Sequence, residues 1–203
     1  DNNLPAHPPE PTATATPEPI PTPNPRAAAN LPPLSPENIN NIALKSQWFA
    51  DEVASLAFSP DGHLLAAASW DGTVWIWKTE TLLSEPWGSG RERYKLNHTF
   101  GVNSVAFSPD GNTLAFGISS IDNPLQVLDV SSLYDDGPVF SDLPVRVIDG
   151  HSDGVKNVAF TPDGRLLISA SFDDTIRLWN YRTGEEINSI EGYYVEKIAI
   201  TRN

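Results

Sequence analysis

The sequence predicts an all-β protein assembled from copies of one four-stranded antiparallel sheet. Three segments align without strain: VASLAFSPDGHLLAAASWDGTVWIW from Val53, VNSVAFSPDGNTLAFGISSIDNPLQVLD from Val102 and VKNVAFTPDGRLLISASFDDTIRLWN from Val155. Their turn aspartates, Asp61, Asp110 and Asp163, fall 49 and 53 residues apart. In each copy, short apolar runs are punctuated by turn signals, the texture of hairpin-linked strands.

The first strand of each copy spaces its apolar residues by three and then by two, as in Val53, Leu56 and Phe58. A regular strand cannot keep that set on one face, whereas a β-bulge can. Next comes Ser59-Pro60-Asp61-Gly62, repeated at 108–111 and 161–164, with the proline and glycine placed as a type I turn favours. The second strand, LLAAAS or LLISAS, is apolar on both faces and therefore packs against a sheet on each side. Asp71-Gly72 is a tight hairpin signal leading into a third strand, TVWIW, matched by TIRLW from Thr175. A fourth strand fits ERYKL, PVRVI and EEINSI, and VEKIAITRN over 195–203 starts a fourth copy.

The remaining composition bounds what such repeats can do. The first 36 residues contain twelve prolines and four charged residues, so 1–37 reads as a disordered, semi-rigid linker and 38–203 as the folded segment. The repeats within it run approximately over 49–97, 98–150 and 151–192. A net charge of −13, with no basic run, argues against nucleic acid and anionic membrane faces as partners, because both need a basic patch. With no cysteine, thiolate chemistry is absent, and four dispersed histidines lack metal-ligand spacing. No phosphate loop or nucleophile elbow occurs, so no catalytic, cofactor or metal residues are expected. No stretch reaches the length of a membrane span. The chain has no methionine and is expected to be a processed or excised product, with any signal peptide or anchor before Asp1.

The repeats resemble the WD-repeat family, whose pattern runs Gly-His, Val-x-x-Val-x-Phe-Ser-Pro-Asp-Gly, Ser-x-Asp-x-Thr and Trp-Asp. The third copy matches best, with Gly150-His151, Asp163-Gly164, Ser171, Asp173, Thr175 and Trp179. The resemblance implies a β-propeller, here about three blades of a partial ring behind the linker. It also implies a buried network in each blade, formed in the third by His151, Ser169 or Ser171, Asp173 and Trp179. The first copy keeps Ser69, Asp71 and Trp77 but has Phe49 in place of the histidine. The second keeps His98 and has Leu128 for the tryptophan, after an insertion around Asp122 and Asn123.

What the resemblance implies about function is a scaffold that binds other proteins and is not an enzyme. Alternatives are an extracytoplasmic ligand- or glycan-binding sensor and, further off, a propeller hydrolase or lyase. One face would carry Trp70, Phe172, Phe49, Asp51, Glu52, Phe100 and Asp153; the opposite face, with Trp87, Tyr134 and Phe140, is its rival. Three blades fall short of the roughly 4 to 8 of a closed ring, so the segment is expected to be truncated, with Asn40 to Ser46 supplying the outer strand of an absent final blade; the alternative is an open arc that self-associates. Threonine- and proline-rich tracts like 1–37 resemble stalks of bacterial extracytoplasmic proteins, which favours a bacterial source and a cell-surface location over a cytoplasmic one.

Overall fold

The computed structural model describes residues 53–80, 93–134, 143–192, 195 and 197–200. The expectations for the linker, for 40–46, and for Phe49, Asp51, Glu52, Trp87 and Phe140 lie outside those residues. The described chain forms three four-stranded antiparallel sheets, each with its strands in chain order. The first holds β1 (Val53–Phe58), β2 (Leu64–Ser69), β3 (Thr73–Lys78) and β4 (Arg93–Asn97). The second holds β5 (Val102–Phe107), β6 (Thr113–Ile118), β7 (Leu125–Asp129) and β8 (Val145–Val147). The third holds β9 (Val155–Phe160), β10 (Leu167–Ser171), β11 (Thr175–Asn180) and β12 (Glu185–Glu191).

The three-then-two spacing is a bulge in every copy. Pairing slips between Val53 and Ser55, between Val102 and Ser104, and between Val155 and Asn157. The following turn is equally regular. The N–H groups of Gly62, Gly111 and Gly164 each donate to the carbonyl three residues back, at 2.8 Å. The aspartate earns its place there: Asp61 Oδ1 accepts the Ser59 hydroxyl at 2.6 Å and the His63 N–H at 3.0 Å. Asp110 and Asp163 do the same for their turns.

The double-sided apolar strands have a direct packing reason. In the middle sheet Leu114, Phe116 and Leu128 face the first sheet, where Leu64, Val74 and Ile76 meet them. Ala115, Leu125 and Val127 face the third sheet and pack with Val155, Val158 and Phe160. One sheet thus serves two cores, and burying each large aliphatic contributes about 1.5–3 kcal/mol. Gly117 makes the second seam close enough, since a Cβ there would stand 2.6 Å from Val155 Cγ1.

The first strands β1, β5 and β9 lie side by side and are stitched by one repeated hydrogen bond. Val105 N–H donates to Ser55 Oγ at 3.3 Å, and Val158 N–H to Ser104 Oγ at 3.3 Å. Ile198 N–H donates to Asn157 Oδ1 at 2.9 Å, so Ile198 stands to the third sheet as Val158 stands to the second. Residues 197–200 form no strand of their own. At the two ends of the row, Leu56 and Phe58 on β1 and Ile187 and Ile190 on β12 are exposed.

Candidate functional site

The polar residues singled out in the third copy converge behind the β10–β11 turn. His151 Nδ1 lies 2.8 Å from Asp173 Oδ2, and its Nε2 lies 2.7 Å from Ser169 Oγ. Trp179 Nε1–H donates to the same hydroxyl at 2.7 Å. One proton assignment satisfies every group: Trp179 donates to Ser169, Ser169 to His151 Nε2, and His151 Nδ1–H to the Asp173 carboxylate. Ser171 lies outside this relay. Its hydroxyl reaches the Gly154 carbonyl at 2.9 Å and accepts the Asp173 N–H at 3.1 Å.

Strand register shows what the other sheets place at these positions. Leu167 pairs with Phe160 and Trp179; Leu65 pairs with Phe58 and Trp77; Leu114 pairs with Phe107 and Leu128. The position of Ser169 is therefore Ala67 in the first sheet and Phe116 in the second. Ser69 matches Ser171, and it likewise accepts the N–H two residues on, from Asp71, at 3.3 Å. Asp71 Oδ1 in turn accepts the Thr73 N–H at 2.8 Å, and Trp77 stacks on Trp75 with centroids 5.9 Å apart. In the second sheet His98 packs on Phe116 at 5.3 Å, and its buried Nε2 has no hydrogen-bond partner among the described residues. Apolar contact has replaced the relay there.

A Ser-His-Asp line resembles a hydrolytic triad, but Ser169 is 0% exposed and its oxygen is held by Trp179. A nucleophile must meet its substrate. The relay instead carries a pH signature. Burial pushes the pKa of His151 down, against the opposing pull of Asp173, and burial lowers that of His98 as well. Burial works to raise that of Asp173, yet bonds from Thr175, His151 and the Ser152 N–H hold it well below the usual carboxylate range. All three therefore favour the folded state above their unfolded pKa values. Stability is expected to fall as pH drops below about 6.5, as the histidines protonate, and again below about 4 with Asp173. Melting temperature recorded from pH 8 to 3 checks this, and a rise between pH 7 and 5 would contradict it.

Four exposed apolar side chains share one rim. Trp70 (58% exposed), Ile121 (70%) and Phe172 (51%) stand on the turns between second and third strands, and Phe100 (52%) on the loop entering β5. Two glycines weld this rim together. The Gly101 carbonyl accepts the Ser119 N–H and the Gly154 carbonyl the Phe172 N–H, both at 2.8 Å. A Cβ on Gly101 would lie 2.9 Å from the Trp70 carbonyl, and one on Gly154 would lie 3.0 Å from Ser119 Cα. Each glycine thus holds the turn of its own sheet and abuts that of the preceding one.

Of the residues expected on this face, Trp70, Phe100, Phe172 and Asp153 are all exposed. Ile121, Gly101 and Gly154 were not anticipated. Ile121 sits in the second copy's insertion, and the glycines were legible only as Gly-Val before two of the first strands. On the opposite face, Tyr134 is half-buried in a 3-10 turn, Ser131–Tyr134, and donates its hydroxyl to the Gly111 carbonyl at 2.9 Å. Its hydroxyl stands beside Gly111, next to the Pro60 ring.

The family model described as WD domain, G-beta repeat, matches residues 44–78, 90–123 and 143–180, more than half of the chain. The chain belongs to the WD-repeat family. The chain is 31% identical over 151 residues to Protein hir-1 of Neurospora crassa, covering 68% of this chain and 15% of that protein. It is 29% identical over 148 residues to Transducin beta-like protein 2 of Mus musculus, 73% of this chain and 32% of the other. It is 36% identical over 130 residues to WD repeat-containing protein SL1-17 of Schistosoma mansoni, 64% and 37% respectively. The chain therefore spans well under half the length of these relatives, and the three sheets are WD blades.

Proposed function

We propose that the chain is a non-catalytic WD-repeat scaffold that binds other proteins through the rim bearing Trp70, Phe100, Ile121 and Phe172. The observation that carries this is their clustering. Four large apolar side chains, each at least half exposed, sit on one welded rim, and aromatic anchors of this kind dominate interface energies. Affinity capture with the full chain tests it. A bound protein is expected to be lost when Trp70→Ala and Phe172→Ala are combined, and kept in Val145→Ala, an exposed site on β8. Capture that survives the double substitution removes the reading.

The finer parts of the reading rest on composition. The linker over 1–37 acts as a stalk, which supports a bacterial, extracytoplasmic setting, whereas the relatives named above are fungal and animal proteins. No helix among the described residues is long and apolar enough to cross a membrane. Self-association is a second reading, favoured by exposed Leu56 and Phe58 at one end of the row and Ile187 and Ile190 at the other. Sedimentation of the full chain decides it, a concentration-independent monomer being the outcome that removes it.

A further inference from the structure

We infer that Trp70 seats an arginine or lysine side chain of the bound protein, so that the partner segment is basic. This rests on the binding reading above and specifies its chemistry. The molecule carries its own template for the contact. In the third blade the Lys156 ammonium lies 4.6 Å from the centroid of Phe172. Lys156 is the bulged residue between Val155 and Asn157, and Phe172 follows the last residue of β10.

The same two positions are internally matched in the second blade by different chemistry. There the bulged residue is Asn103 and the residue after β6 is Ser119, whose hydroxyl donates to Asn103 Oδ1 at 2.9 Å. The first blade breaks the pattern. Its register is identical, but the bulged residue is Ala54 and the residue after β2 is Trp70. A methyl group cannot reach over a ring. Trp70 is 58% exposed, and no cation stacks on it among the described residues; Lys95 lies over Trp75 instead, at 4.7 Å.

Tryptophan is the best aromatic acceptor for a cation, and the surroundings select the sign of the guest. Asp71 is exposed one residue away, and Asp122, Asp153 and Asp174 are exposed on the same rim, against Lys156, which is engaged with Phe172, and Lys95, which lies over Trp75 and attracts Asp71. The chain as a whole carries −13. An arginine or lysine over Trp70 would supply in trans what Lys156 supplies in cis two blades on.

Fluorescence polarisation with the labelled peptide Gly-Arg-Leu-Arg-Gly and its counterpart Gly-Glu-Leu-Glu-Gly tests this on the full chain. The arginine peptide is expected to bind and the glutamate peptide not. Trp70→Ala is expected to weaken binding about two- to fivefold, the worth of an exposed cation–π contact. Ala54→Lys, which rebuilds the third blade's pairing in the first, is expected to weaken it similarly while leaving the melting temperature unchanged. Equal binding of the two peptides, or undiminished binding in Ala54→Lys, overturns the inference. If capture of a protein partner needs Trp70 yet tolerates Ala54→Lys, the rim still binds proteins and only the basic chemistry falls. If capture ignores every rim substitution, the binding reading itself fails.

Discussion

Trp179→Ala is expected to destabilise the protein by about 3–5 kcal/mol, the usual cost of emptying a large aromatic site in a core. Trp179 is 1% exposed and packs with Ile148, Val155, Val158, Phe160 and Leu167 between the second and third blades. Its loss also removes the donor to Ser169 and the edge-to-face partner of His151, whose ring lies 5.6 Å away. Gly150 adds to the expected cost. With φ at 141° it lets the chain pass where a Cβ would lie 2.8 Å from Trp179 Cη2, so the backbone is shaped to this indole. Trp179→Phe keeps most of the volume and forfeits the N–H, and is expected to cost about 1–3 kcal/mol for the unpaired relay. Urea unfolding separates the two. An alanine variant within about 1 kcal/mol of the parent would show that the relay and the seam do not carry the third blade.

Gly117→Ala is expected to cost about 1–3 kcal/mol, as overpacking does in a seam that cannot widen. The added methyl would meet Val155 at Cγ1 (2.6 Å), at the carbonyl oxygen (2.9 Å) and at Cβ (3.1 Å). The first and third blades place Ala68 and Ala170 at the equivalent position, so a methyl is tolerated there by the strand itself. The clash belongs to the seam between blades. Val155→Ala in the same chain removes the Cγ1 contact but leaves the carbonyl in the way and empties part of the core around Trp179, so it is expected not to restore the parent's stability. Full recovery would mean that the side chain alone sets the spacing, and no loss at all would mean that the blades are free to part.

How far the sequence reached differs between fold and site. The bulge, the Ser-Pro-Asp-Gly turn and the two-faced second strand depend on local chemistry repeated three times, and each could be read from spacing alone. The relay was legible only in part: the family resemblance named His151, Asp173 and Trp179 and left Ser169 or Ser171 open. The resemblance offered Ser69 in the first copy and Ser169 or Ser171 in the third, and strand pairing assigns the place to Ser169 and gives Ala67 and Phe116 to the other blades. A side-chain period of two makes such a choice invisible until register is known. The bond from the Tyr134 hydroxyl to the Gly111 carbonyl, 23 residues back, is likewise a contact that spacing does not show.

The rim shows the same division. Trp70 and Phe172 were recognisable as equivalent aromatics, because both stand one residue before a turn aspartate. That Lys156 covers one ring while Ala54 at the matching position cannot cover the other is a property of side chains brought across a bulge. Gly101 and Gly154 mark where two blades approach to within a missing Cβ, a distance no single repeat contains. The sequence by itself determined the repeat, its strands and turns, and the absence of cysteine chemistry, because these follow from local pattern and composition. Only the tertiary structure decided which serine joins His151, which loops form the rim and which aromatic ring there lacks a cation among the described residues, because these depend on register and on how neighbouring blades stack.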